Sequence, residues 1–369
     1  MKTIKALSVW GLILIGSLFF IGLLGISGAD PTASIGVTWG LGIPILFGFA
    51  QAIGSKGQIV IQEETTFKTD PVTPDVKKVH FISEGLKSSR NLIDSNTIQG
   101  SREASKPTLG NKDVAGDIKL ELQAYMALLL KAAFGSVATT GVGPYVHTFK
   151  IGASLISLLI EKGFTDIAQY FKYNGCKVNK LGLSITAEGF QEVGLDFIGA
   201  KETVGSTPFD ATPTDLGKQS FNGFLIGTIE EGGSAIANVT GIDGLSLENN
   251  LDGSVYVIGG AGERNSLPEG KVKVSGTLKA MFENLTLYNK AINSTESSLK
   301  VIYKFGDGLG SAGNESLELF IPELIYSPNA PVISGPQGIY VELPFTAYYE
   351  NSATATTMQA ILKNTQATI

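Results

Sequence analysis

Two runs of strict alternation constrain what this chain can fold into more than any other feature. Leu181, Leu183 and Ile185 alternate with Gly182, Ser184 and Thr186, and beyond Gly189 the residues Val193, Leu195 and Phe197 resume the pattern. A period of two places every apolar side chain on one face of a strand. Two such runs joined at a glycine therefore predict a hairpin with one buried face. The texture persists from Gly54 onward. Residues 58–62 read as a strand and 70–75, with Pro71 and Pro74, as a loop. Leu317, Leu319 and Ile321 predict one further strand, and Ile339, Val341, Leu343 and Phe345 another. Strands and helices do not alternate regularly, which disfavours a parallel α/β sheet. The expected class is mainly β, of the α+β type.

Two segments carry helix formers. Residues 120–134 are rich in Leu, Ala, Gln and Met and predict a helix packed on a sheet, while 281–292 predict a weaker one. Their surroundings match. Val114-Ala115-Gly116-Asp117-Ile118-Lys119 precedes the first and Val274-Ser275-Gly276-Thr277-Leu278-Lys279 the second. Asn91-Leu92 matches Asn250-Leu251, Ile98-Gln99-Gly100 matches Val257-Ile258-Gly259, and Glu188-Gly189-Phe190 matches Gln337-Gly338-Ile339. Each match is short, but they fall in one order. They predict two copies of a strands–helix–hairpin unit, at 54–204 and 219–369. The Thr-, Pro- and Gly-rich stretch 205–218 is the expected linker.

The first 53 residues are different in kind. Residues 6–26 and 35–53 carry no charge. About 20 apolar residues span a bilayer as a helix, so 1–53 are expected to form a hydrophobic helical hairpin able to enter a membrane through residues 6–53. Lys2, Lys5 and Lys56 would then hold both ends on the cytoplasmic side. A cleaved signal peptide ending near Ser27-Gly28-Ala29 is the competing reading, and an upstream extension without bearing on the main function is a third.

The sequence excludes more chemistry than it offers. One cysteine, Cys176, rules out a disulfide scaffold, and two histidines, His80 and His147, rule out a three-histidine metal centre. A net charge of −6 with no basic stripe argues against a nucleic-acid reader held by phosphate contacts. Cys176 follows Asn174-Gly175, read as a turn. The only plausible base for it is His147, itself at a strand-like position. Residues 262–271 have the wrong spacing for a phosphate loop. Asp243, Glu248, Asn249, Asn250 and Asp252 lack the calcium-loop pattern and read as an acidic turn. Asn-x-Ser/Thr sequons begin at Asn238, Asn284, Asn293 and Asn314, and matter only in a secreted chain. No catalytic residue, cofactor or metal ligand is expected.

One stretch carries a resemblance. Residues 173–190 combine Tyr173, a Gly175-Cys176-Lys177-Val178-Asn179 segment, an alternating strand and Glu188-Gly189, before a second strand ending Phe197-Ile198-Gly199. Together with Gly85-Leu86, Arg90-Asn91 and the strand near Gln58, this resembles the major tail tube proteins of tailed bacteriophages over residues 54–369. The resemblance implies a structural, non-enzymatic protein of the virion tail, assembled in the host cytoplasm. Its copies would close into rings whose strands form a β-barrel lumen. The rings would stack into a tube, meet other tail proteins and pass DNA without reading its sequence. Two domains per chain would let three copies make a pseudo-hexameric ring, with a hexamer possible if the second domain stays outside. Without residues 1–55 the charge is −7, from 26 basic and 33 acidic residues, which suits a lumen that repels DNA. The alternative is a secreted or cell-surface β-sandwich binding protein with an N-terminal signal peptide.

Overall fold

The computed structural model describes residues 51–349 and 354–369, with the backbone of four short strands before them. Those four, Ile13–Ile15, Leu18–Phe20, Val37–Trp39 and Ile43–Ile45, pair two by two, antiparallel. The expected helical hairpin therefore meets strands where it is described, and otherwise lies outside the described residues. Ile, Val, Phe and Trp favour strands, and hydropathy alone does not separate the two. Among the described residues no helix is long and apolar enough to cross a membrane. Met1–Ile53 and Gly54–Ile369 are separate compact units.

From Gly54 the elements run β1 (Gly57–Glu63), β2 (Lys77–Val79), β3 (Ser83–Glu84), β4 (Lys87–Ile93), β5 (Thr108–Glu121), α1 (Ala127–Phe134), β6 (Gly135–Thr140), β7 (Tyr145–Ile151), β8 (Leu158–Phe164), β9 (Gln169–Thr186), β10 (Glu192–Gly199) and β11 (Lys201–Gly205). They continue as β12 (Ile226–Glu231), β13 (Ser234–Ala235), β14 (Val239–Glu248), β15 (Lys273–Met281), α2 (Thr286–Ile292), β16 (Ser297–Lys304), β17 (Ser316–Tyr326), β18 (Tyr340–Ala347) and β19 (Gln359–Asn364). The fold is mainly β, as expected, and every strand of this unit belongs to one hydrogen-bonded sheet that folds over a shared core.

The pairings follow one scheme twice. In the first half β2 pairs β1, β1 pairs β8, β8 pairs β9, the start of β9 pairs β11, its end pairs β10, and β10 pairs β5, which pairs β3 and β4. In the second, β13 pairs β12, β12 pairs β16, β16 pairs β17, the start of β17 pairs β19, its end pairs β18, and β18 pairs β15, which pairs β14. The helices occupy the same slot, α1 after β5 and α2 after β15. Registers agree as well: Phe197 lies opposite Gly116, and Phe345 opposite Gly276. A Cβ on Gly276 would come within 2.8 Å of the Phe345 ring, so the glycine is what lets the ring lie across the strand. Among the described residues the β6–β7 hairpin has no counterpart in the second half.

Local differences from the sequence reading have physical causes. Both helices are shorter than expected. Leu120 continues β5 opposite Val193, where pairing buries it in the core, and Met281 ends β15 opposite Tyr340, its backbone taken by the ladder. Helix α1 stops at Gly135, whose φ of 85° places it in the left-handed region with its N–H on the Lys131 carbonyl. Asn174-Gly175 is not a turn between strands. It is a bulge inside the 18-residue β9, with Gly175 at φ 67°. Its N–H donates to the Glu64 carboxylate at 3.0 Å, and the bend lets one strand serve two layers. The expected linker is tied down. Phe209 N–H donates to Glu161 at 2.9 Å, Lys78 N–H to the Thr214 carbonyl at 2.9 Å, and His80 meets Asp215 at 2.9 Å.

Candidate assembly interface

Seven strands make one layer in the order β4, β5, β10, β9, β14, β15, β18. Alternation gives the layer two unlike faces. Val114, Ile118, Leu120, Val193, Leu195, Phe197, Leu181, Leu183, Leu247, Leu278 and Leu343 point into the core. The other face is bare and charged, with Asp117, Glu192, Asp196, Glu248 and Glu342 set among Lys119, Lys180, Lys273 and Lys279. One row crosses five strands as Asp117, Asp196, Lys180, Glu248 and Lys273, each directly opposite the next. Lys180 reaches Glu248 at 3.1 Å, and Lys279 reaches Glu342 at 3.0 Å. Partial burial raises the Asp196 carboxyl above its ordinary pKa. Lys180 opposes the shift, and Asp117 and Glu248 add to it.

The two halves meet at a strand joint. The end of β9 pairs β14, with Leu181 opposite Leu247, Leu183 opposite Leu245 and Ile185 opposite Ile242. Residues 249–272, between β14 and β15, lie over the first half. Arg264, buried, donates to the carbonyls of Val114 at 3.0 Å and Gly199 at 2.7 Å, to Gly253 of its own loop at 2.6 Å, and to Asp113. Val114 and Gly199 are the last pair of the β5–β10 ladder, so one guanidinium closes that ladder. Asn249, also buried, donates to Ala133 and Val178 carbonyls at 3.0 and 2.9 Å, which satisfies a carbonyl near the end of α1. Glu263 takes Lys112 at 2.8 Å and Lys68 at 3.4 Å. A second joint links β7 to β19. There the buried His147 ring contacts Thr139 Oγ1 at 2.9 Å and Asn364 Oδ1 at 3.1 Å, and burial lowers its pKa despite the bond to Asn364.

The residues weighed in the sequence as chemistry fall into these structural roles. Cys176 is fully buried in β9, where burial, with Glu64 adding to it, pushes its thiol well above the ordinary value. The His147 nitrogens bond Thr139 and Asn364, not the thiol. Residues 262–271 hold the Arg264 clamp. Asn249 is a bracket and Glu248 an ion-pair partner. Among the described residues no group of three or more His, Cys, Asp or Glu side chains is placed to hold a metal. The sequon residue Asn238 donates to the Met281 carbonyl, and Asn314 accepts from Asp307 N–H. Sequence reading missed Arg264. A signal was available, since the chain has only three arginines, Arg90, Arg102 and Arg264. A fork of donors reaching several carbonyls is what lysine does not supply.

Among the described residues both ends of the seven-strand layer are open. On one side β3 and β4 pair only β5, and Arg90, Leu92 and Ile93 are exposed. On the other, β18 is followed along only part of its length by β17. The described layer thus has one face on its core, one face bare and charged, and two edges whose unpaired backbone groups can accept further strands. A family model for phage tail tube proteins matches residues 54–347, and the chain belongs to that family. It is accordingly a structural protein of the phage tail. No curated protein matches the chain.

Proposed function

We propose that three copies of this chain close a pseudo-hexameric ring, that rings stack into a tube, and that the seven-strand layers of the copies join into a β-barrel around a lumen through which DNA passes. The observation that carries this reading is the repeated pairing scheme, with its two halves joined edge to edge through β9 and β14. Residues 54–204 and 219–369 act as two tube domains, with 205–218 as a packed connection. A strand joint already made once inside the chain needs only to be made again between chains for the ring to close, and closure removes the open edges.

The bare charged face is the side of the layer that would line the lumen. Its five carboxylates sit among four lysines, two of which, Lys180 and Lys279, are paired to Glu248 and Glu342, so the face carries no net positive charge to hold DNA. The chain works without a catalytic group, metal or cofactor, and its partners are its own copies, other tail proteins and the passing DNA. Native mass spectrometry of rings and symmetry in electron-microscopy class averages test the stoichiometry. Three chains with six similar domains at the lumen are expected. Six chains with only the first half at the lumen would defeat the reading.

A further inference from the structure

We propose that residues 327–334 of one copy pair antiparallel with residues 83–89 of the next copy, in the register that β9 and β14 set inside the chain. The proposal rests on the ring reading above, and names the two edges and the residues that meet.

Cross-strand partners align the halves, and the register carried over keeps the bulge that β9 makes between Val178 and Lys180. Val178 lies opposite Phe197, and Tyr326 opposite Phe345; the two phenylalanines occupy the same place against Gly116 and Gly276. Tyr326 is therefore the counterpart of Val178. The end of β9, residues 179–186, then corresponds to 327–334. That segment starts out along its neighbour, beyond the last ladder pair at Tyr326: Ser327 N–H donates to the Pro344 carbonyl at 2.7 Å, and Asn329 Nδ2 to the Glu342 carbonyl at 2.9 Å. Its outer side is bare, with Pro328, Asn329, Ala330, Val332 and Ile333 exposed.

The opposite edge aligns equally well. Leu247 lies opposite Val274, and Ser88 opposite Val114. Ile242 lies opposite Leu278, and Glu84 opposite Ile118. The irregularity between Asp243 and Ser246 in β14 falls where Gly85-Leu86 separates β3 from β4. Inside the chain Leu181 meets Leu247, and Ile185 meets Ile242. Carried across, Asn329 meets Ser88 of the next copy, and Ile333 meets its Glu84.

A second observation points to the same partner. The connection after β14, residues 249–272, lies clamped on the adjoining half by Arg264. Its counterpart after β4, residues 94–107, is exposed at every residue but Ser105, and no clamp like Arg264 holds it among the described residues. Placed on the next copy's second half, as 249–272 is placed on the first half, that loop would be held at its base and keep Ile98 outside, as Ile258 stays outside in 249–272. Ser327 N–H faces β18, so the adjacent Pro328 takes a donor out of the open edge, which limits indiscriminate pairing before the right strand arrives.

The test is cross-linking in the full chain with Asn329→Cys and Ser88→Cys together. Directly opposed Cβ atoms lie about 4.5–5.5 Å apart, close enough for a disulfide after a small shift. The native Cys176 is buried and stays as it is. After mild oxidation of assembled tubes, non-reducing denaturing gels should show a closed three-chain species. Asn329→Cys with Ser89→Cys, whose side chains point to opposite faces, should give at least about tenfold less. Tubes that form but cross-link equally or better through the shifted pair, or through neither, would overturn the joint and leave the tube reading standing. Wild-type protein that yields neither rings nor tubes would remove the reading itself. Should the cysteines block assembly, hydrogen exchange on the wild type decides. The amides of 83–89 that point away from β5, and those of 330, 332 and 334, should exchange at least about tenfold more slowly in tubes than in disassembled protein, and equal rates would refute the pairing.

Discussion

Arg264 offers the sharpest test of how the two halves are held. Replacing it by alanine leaves the carbonyls of Val114, Gly199 and Gly253 without the donors they meet at 3.0, 2.7 and 2.6 Å. Hydrogen bonds to a charged group contribute about 1.5–3 kcal/mol each, and they do not add fully because one guanidinium serves all three. The Asp113 carboxylate is 57% exposed, so its pairing adds little. The expected cost is about 3–5 kcal/mol, the range found when one side of a buried charged contact is removed. Arg264→Lys should recover less than half, since an ammonium cannot fork to three carbonyls. The loss should fall on local opening at the joint. Native-state hydrogen exchange should therefore show amides of 249–265 and at the β5–β10 ladder end near Val114 and Gly199 speeding up roughly 100- to 4,000-fold, at about 1.4 kcal/mol per factor of ten. Amides in β1 and β8 should change far less. Exchange within about threefold of wild type, or a lysine variant indistinguishable from arginine, would refute the clamp.

Asp196→Asn should stabilise the fold by about 0.2–1 kcal/mol at neutral pH, because it removes a charge set directly opposite Asp117. The folded pKa of Asp196 is raised, so its penalty is present above that pKa and disappears as pH falls through it. Thermal melts should show the variant's advantage at pH 7 and none in acid. Gly276→Ala should cost about 1–3 kcal/mol by driving a methyl group against the Phe345 ring, read as a lower urea midpoint. His147 is held neutral with a lowered pKa, so its contribution is full above the ordinary histidine value and is lost as pH falls through that value toward the folded one. The urea midpoint should drop between pH 7 and pH 5, and His147→Gln should flatten that drop.

The amino-acid sequence by itself determined the local elements that rest on period and glycine placement. The β9–β10 hairpin, the strands at β1, β17 and β18, and the ordered matches around Val114–Lys119 and Val274–Lys279 were all legible, because alternation and helix-forming composition act over a few residues. Tertiary structure alone decided where strands outlast helices at Leu120 and Met281, that Asn174-Gly175 bends a strand instead of ending it, and that 205–218 packs against the first half. It alone turned a glycine-rich stretch with a false phosphate-loop spacing into the Arg264 clamp, and brought β7 to β19 across more than 200 residues of chain. The division follows from range. Periodicity records which face of a strand is buried, but a strand's partner depends on which open edges the rest of the chain leaves within reach, and a buried donor's partners depend on which carbonyls that pairing leaves unsatisfied.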